Sequence, residues 1–147
     1  MLMRSLNSAV RWGTILVAVA VFNILPYSLA AQTHPAPGIT ITEVPPSASG
    51  GPDQMFPISG EVNGVEPKDY RVVIYVLAGG TWFVQPFDYA PLTEIKTGGK
   101  WETETHGGSI YAALLVRPNY KPKAQLNALP DAAGDIVARV RVAGTSR

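Results

Sequence analysis

The stretch from Arg71 to Gln85, RVVIYVLAGGTWFVQ, constrains the fold more than any other part of this chain. It consists of two apolar runs joined by Gly79-Gly80. A two-residue hairpin loop needs positive φ angles, which glycine adopts without steric cost. With these two glycines as the loop, Tyr75 lies opposite Val84. The sequence therefore predicts an antiparallel β-hairpin whose register is set by the loop.

Both faces of the predicted hairpin are apolar, because successive side chains of a strand point to opposite faces of the sheet. The face that we expect to lie in the core carries Val72, Ile74, Val76 and Phe83. The other face carries Val73, Tyr75, Leu77, Trp82 and Val84. An apolar face of this second kind has to be covered by something.

Further short strand patterns precede and follow the hairpin, separated by turn residues rich in Gly and Pro. They are predicted at about 39–44, 55–62, 100–105, 109–116 and 136–142. A three-residue loop, Thr97-Gly98-Gly99, would pair Ile95 with Trp101 on the inner face. No helix is convincing, and seven or eight short strands predict an all-β protein. The expected fold is a single Ig-like or fibronectin-like antiparallel β-sandwich.

The last predicted strand, 136–142, alternates apolar and basic residues. Alternation places Arg139 and Arg141 on the outer face. The residues that we expect to face the core are Ile136, Ala138, Val140 and Val142.

The N-terminal region has the order of elements that is typical of a secretory signal peptide, predicted for residues 1–30. Arg4 and Arg11 precede an apolar run, and small residues follow near a cleavage point. An uncleaved membrane anchor is the alternative, although a spanning helix needs about 20 apolar residues and Asn23 interrupts the run. The predicted organisation continues with a linker over 31–38, the β-sandwich domain over 39–143 and a tail over 144–147.

The composition of the chain bears on two questions: in which cellular compartment the protein works, and which classes of partner it binds. The chain of 147 residues contains no cysteine, which excludes disulfides and thiolate metal sites. Lack of cysteine in an exported chain of this length favours a bacterial protein that is secreted or periplasmic. Removal of residues 1–30 takes two arginines, so 12 basic residues become 10 against 11 acidic ones, and the net charge becomes −1. We therefore expect no nucleic-acid partner and, after signal cleavage, no membrane contact.

Residues with catalytic potential are sparse. His106 and Ser109 lie three positions apart in a predicted turn, without the sequence context of a nucleophile elbow. Glu102 and Glu104 share one face of a strand, which leaves a small glycoside hydrolase as the least favoured alternative. No metal-ligand spacing or phosphate-binding loop occurs, so we expect neither a metal nor another cofactor.

Aromatic residues provide the better candidates for a binding site. The second hairpin face and the adjacent loop could form a platform on which sugar rings stack, with polar groups selecting the orientation. The candidate ligand-binding residues are Tyr75, Trp82, Phe87, Asp88 and Tyr89. In the alternative interpretation, the loop 86–91 or the long 118–134 connection folds over this face.

Several segments resemble the β-sandwich accessory modules that are appended to secreted bacterial glycoside hydrolases. They are residues 60–70 (GEVNGVEPKDY), Trp82, Pro86, residues 99–101 (GKW), residues 107–108 (GG) and residues 112–116 (AALLV). The resemblance implies that Trp82 and Pro86 mark the end of the hairpin and that Trp101 is a core residue. It names no binding residue.

Such modules are non-catalytic and are often assigned to carbohydrate binding. The expected function is therefore an exported, non-catalytic module that binds a polysaccharide or another cell-envelope component through an aromatic face. A structural or protein-interaction role, with an envelope protein as partner, is the alternative.

Overall fold

The computed structural model describes residues 33–146, so the predicted signal peptide lies outside the described residues. Strands account for nearly all of the regular structure in this range, together with one short 3-10 turn at Pro67–Asp69. The strands are β1 (Gly38–Glu43), β2 (Met55–Asn63), β3 (Arg71–Ala78), β4 (Thr81–Gln85), β5 (Lys100–His106), β6 (Ile110–Val116), β7 (Gln125–Leu126) and β8 (Ile136–Ala143). The predicted all-β fold is confirmed.

The strands form two antiparallel sheets. The smaller sheet has the order β1-β2-β5, and the larger has the order β7-β4-β3-β6-β8. Because β4 pairs with β3 and not with β5, the sheets hold three and five strands, whereas a constant-type immunoglobulin domain has four and three. An antiparallel β-sandwich is therefore confirmed, with its larger sheet built around the central hairpin.

The central hairpin has the predicted register. Gly79 and Gly80 adopt φ angles of 57° and 82°, as a type I′ turn requires at both central positions. Tyr75 lies opposite Val84, and the pairing continues to Ile74 and Gln85. The turn alone determined this register, which is why the sequence was sufficient to predict it.

The main core lies between the two sheets. Ile58 of β2, Ile74 of β3 and Trp101 of β5 are all buried there. Gly60 makes room for the indole, since a Cβ at this position would come within 2.5 Å of Trp101 Cζ2. The three-residue loop before β5 is confirmed, because the Lys96 N–H donates to the Lys100 carbonyl at 2.7 Å.

A second apolar layer covers the other face of the larger sheet. Its buried members come from β3, β4, β6 and the start of β8: Val73, Tyr75, Trp82, Val84, Ala112, Leu114, Val116 and Ile136. The connection between β6 and β8, residues 117–135, lies over them and is called the β6–β8 connection below. It contributes Tyr120, Leu126 and Leu129 to the layer. The alternative prediction, that the long 118–134 connection folds over this face, is therefore confirmed.

One prediction for β8 is wrong, because Ile136 belongs to the second layer and not to the core between the sheets. The pairing with β6 shifts, so that Leu115 lies opposite Ala138 while Val116 lies opposite Ile136. The extra residue, Val137, forms a bulge, and a bulge reverses the side-chain alternation at that point. Beyond it, the predicted inward residues of β8 do pack against the main core.

The residues after β8 continue to make backbone hydrogen bonds. The Gly144 N–H donates to the Ser109 carbonyl at 2.9 Å, and the Thr145 N–H donates to the Pro45 carbonyl at 3.0 Å. Residues that the sequence assigned to a tail thus join the segment after β1 to the loop before β6.

Across residues 33–146, no helix has the length and apolarity that crossing a membrane requires.

Candidate functional site

Two of the five candidate residues, Tyr75 and Trp82, do not lie on an exposed aromatic face. Tyr75 is 0% exposed and Trp82 is 6% exposed, because the β6–β8 connection packs over both rings. The Tyr75 hydroxyl donates to the Lys123 carbonyl at 2.8 Å, and burial raises the pKa of this hydroxyl. The structure corrects the expectation that these two rings form a platform for ligands.

The other three candidates lie together on an exposed turn after β4, called the aromatic turn (residues 86–91). The Ala90 N–H donates to the Phe87 carbonyl at 3.2 Å, which places Asp88 and Tyr89 at the tip. Tyr89 is 78% exposed and Phe87 is 41% exposed. The aromatic turn therefore presents two rings and one carboxylate to solvent.

Phe87 and Tyr89 stack on each other. Their ring centroids are 5.0 Å apart, and the ring planes differ by only 3°. The Phe87 ring also meets the His106 ring edge-on, with centroids 6.0 Å apart and planes at 78°. Offset stacking and edge-to-face contacts are both favourable geometries for aromatic pairs. Tyr89 is thus the outermost ring of a series that begins at the end of β5.

The His106 ring is held by the buried side chain of Gln85, a residue that the sequence analysis did not select. Gln85 Oε1 lies 2.8 Å from the His106 backbone N and 2.8 Å from His106 Nδ1. The backbone N–H can only donate, so this Gln85 atom is the amide oxygen, and Nδ1 carries a proton to donate to it. In the neutral ring, Nε2 is then left as a hydrogen-bond acceptor.

A pocket of about 440 Å³ adjoins the aromatic turn. Strands β3 and β4 contribute apolar side chains to it, while Asp88, Gln85 and His106 contribute polar groups. Phe87 lines the same pocket, so the stacked rings and the pocket form one continuous site. A mostly apolar concavity with a few convergent polar groups is the usual form of a small-molecule site.

Comparisons with protein-family models, with curated proteins and with solved structures find no match to this chain. The assignment of this candidate site therefore rests on its geometry alone.

The two residues considered for nucleophilic catalysis, His106 and Ser109, are not brought together. Ser109 Oγ donates to the Leu77 carbonyl at 3.2 Å, while His106 Nδ1 faces Gln85, so His106 and Ser109 do not form a nucleophile–base pair. Glu102 forms an exposed ion pair with Lys96. Among residues 33–146, no three His, Asp or Glu side chains are grouped as they would be to hold a metal ion.

Only some of the residues of this site could be identified from the sequence. Proline residues on both sides of Phe87 and Tyr89 mark an exposed turn, which made these two residues identifiable. Gln85 and His106 are 21 positions apart, and no local pattern links them. A polar residue at the end of an apolar strand was the one feature that could have drawn attention to Gln85.

Proposed function

We propose that this chain is an exported, non-catalytic β-sandwich module that binds carbohydrate through the aromatic turn and the adjoining pocket. The observation that carries the proposal is the exposed Tyr89 ring, stacked on Phe87 at the rim of a concave site. The flat face of an aromatic ring packs well against the C–H groups of a sugar ring. Phe87 covers one face of Tyr89 and leaves the other to a ligand.

The platform is held in place before any ligand binds. Phe87 supports Tyr89, His106 contacts Phe87 edge-on, and the buried Gln85 amide fixes the orientation of His106. A ring that is already ordered loses little conformational freedom when a ligand arrives, and this favours affinity.

Two acceptors near the rings suit the hydroxyl groups of a sugar. The Asp88 carboxylate lies at the tip of the turn, and His106 Nε2 accepts when Nδ1 donates to Gln85. Hydroxyl groups are donors as well as acceptors, so both protein groups can fix the orientation of a stacked ring.

Affinity electrophoresis of the full chain in gels that contain cell-wall and plant polysaccharides tests the proposal. We expect at least one polysaccharide to retard the wild type and the Tyr89→Phe variant, because both retain the ring. Tyr89→Ala should migrate freely, since it removes the stacking surface. The matched control is Leu92→Ala, which shortens an exposed apolar side chain nearby and should still be retarded. Free migration of the wild type in every gel, or unchanged retardation of Tyr89→Ala, would contradict the proposal.

One observation favours a protein partner as the second candidate. Within the described residues, the exposed large apolar side chains all fall in one short segment: Phe87, Tyr89 and Leu92. Aromatic residues are enriched in protein interfaces, where neighbouring apolar side chains are buried together. A protein interface that covered this segment would lose affinity in Leu92→Ala as well as in Tyr89→Ala. Pull-down from an envelope fraction with the two variants separates this candidate from sugar binding.

A further inference from the structure

The pocket beside the aromatic turn arises because the two sheets differ in width. The smaller sheet ends at β5, whereas the larger sheet continues past β3 to β4 and β7. Strand β5 faces β3 and β4, so the inner face of β4 extends beyond the smaller sheet. Phe83 lies on this face, is only partly buried against the main core and lines the pocket. The pocket is therefore an uncovered edge of the main core.

Apolar groups form most of the pocket. Val76, Ala78 and Phe83 come from the hairpin. Pro52 comes from the loop between β1 and β2, and Ala124 comes from the β6–β8 connection. A rigid apolar cavity of about 150 Å³ can hold a benzene ring, and this pocket has about 440 Å³. It has room for a short alkyl chain.

The buried polar side chain in the pocket lining already has partners within the protein. Gln85 Nε2 donates to the Phe83 carbonyl at 3.3 Å, and Gln85 Oε1 accepts from the backbone and the ring of His106. The side-chain groups that remain for a ligand are the Asp88 carboxylate and His106 Nε2. Asp88 belongs to the aromatic turn and His106 contacts it through Phe87, so both groups lie on the side of the stacked rings.

A sugar without substituents would fit this lining poorly, because it carries hydroxyl groups around the edge of its ring. A hydroxyl group that is buried without a hydrogen-bond partner costs free energy. A methylene group that moves from water into an apolar pocket gains free energy instead. The pocket is apolar and the polar groups adjoin the stacked rings, which matches a ligand that is polar at one end and apolar at the other.

We propose that the ligand of this site is a sugar that carries a short apolar substituent, an alkyl or acyl chain. The sugar ring stacks on Tyr89, its hydroxyl groups bond to Asp88 and His106, and the apolar chain occupies the pocket next to Phe83. This inference rests on the proposed function and deepens it by naming the class of sugar.

Isothermal titration calorimetry of the full chain with methyl β-D-glucopyranoside and with hexyl β-D-glucopyranoside tests the inference. The two compounds share the sugar and differ in the length of the apolar chain. We expect the hexyl glycoside to bind the wild type at least about tenfold more tightly, because its additional methylene groups leave water. Equal affinities, or no binding of the hexyl glycoside, would overturn the inference.

A variant that fills the pocket locates the apolar chain. Ala124→Trp places an indole in the pocket from an exposed position, so the affinities for the two glycosides should come within about twofold of each other. The matched control is Ala132→Trp, which adds the same indole to an exposed part of the β6–β8 connection outside the pocket. It should keep the difference seen in the wild type. A difference that survives in Ala124→Trp would overturn the inference.

Tyr89→Ala separates this inference from the proposed function. It should weaken the binding of both glycosides by a similar factor and leave the ratio of their affinities unchanged, because the platform is lost while the pocket remains. Equal affinities of the wild type for the two glycosides that both fall in Tyr89→Ala would overturn the inference and leave the proposed function in place. Unchanged binding of both glycosides in Tyr89→Ala would contradict the proposed function, even where the pocket still favours the hexyl chain.

Discussion

Gln85 shows how one buried side chain can organise a surface site. It is the last residue of β4 and is almost fully buried, yet it is polar. Its amide nitrogen lies 3.3 Å from the Phe83 carbonyl, and its amide oxygen accepts from the backbone and the ring of His106. Both ends of the amide are therefore used inside the protein, and the result is a fixed His106 ring against which Phe87 packs.

Replacement of Gln85 by Met should destabilise the protein by about 1–3 kcal/mol, because the partly buried His106 backbone N–H would lose its acceptor. Urea unfolding measures this free energy. The Nδ1–H resonance of His106 in NMR spectra should also broaden or disappear, since the proton is no longer held by an acceptor.

The control for this variant is Gln54→Met, which changes an exposed glutamine. Its free energy of unfolding should stay within about 0.5 kcal/mol of the wild type. Equal effects of the two substitutions would show that Gln85 does not have the role described here.

At the scale of elements, the β6–β8 connection acts as a third layer over the larger sheet. It has only two residues of strand, β7, which pair with Trp82 and Phe83 of β4. Its remaining support comes from packing and from a few hydrogen bonds, such as the one from Tyr75 to the Lys123 carbonyl. An element held in this way should respond locally when one contact is removed.

Tyr75→Phe should cost about 1 kcal/mol of unfolding free energy, because it deletes the hydrogen bond to Lys123 while it keeps the ring in place. Hydrogen exchange should become faster in residues 121–126 and stay unchanged in β6. Tyr120→Phe provides the control, since the Tyr120 hydroxyl bonds to no described residue although its ring packs in the same layer. Faster exchange throughout the larger sheet in Tyr75→Phe would argue against a separately held connection.

Some features of these elements could be predicted from the sequence, and others could not. The β3–β4 hairpin was predictable to the residue, because the Gly79-Gly80 turn is local and specifies its own register. The bulge at Val137 was not predictable, since it arises from pairing with β6 and leaves no mark in the alternation of β8. Burial of Trp82 could not be predicted from the sequence either, because the residues that cover its ring lie about forty positions further along the chain.

At the scale of the whole molecule, the larger sheet is buried on both faces, and tyrosines are buried with it. Burial raises the pKa of Tyr75, Tyr111 and Tyr120 above the ordinary value of 10.0, because a phenolate is poorly solvated in these positions. In the unfolded chain the same groups ionise at their ordinary pKa. The folded protein therefore holds protons that the unfolded chain loses as the pH rises.

The free energy of unfolding should consequently be independent of these tyrosines below about pH 9 and should fall as the pH rises beyond about 10. Urea unfolding at intervals between about pH 8 and 11 measures the decline. Tyr75→Phe should show a shallower decline than the wild type, because one group with a raised pKa has been removed. Parallel curves for the two proteins would exclude Tyr75 as a source of the alkaline instability.

The position of the aromatic turn has a consequence for how such a molecule can diversify. Residues 88–90 lie between Pro86 and Pro91 and belong to neither apolar layer. The side chains at the tip therefore make no contribution to the two apolar layers. The side chains of β3, β4 and β6, in contrast, are buried on both faces of the larger sheet. Substitutions at these few positions can therefore change the exposed surface of the turn without removing a side chain from either apolar layer.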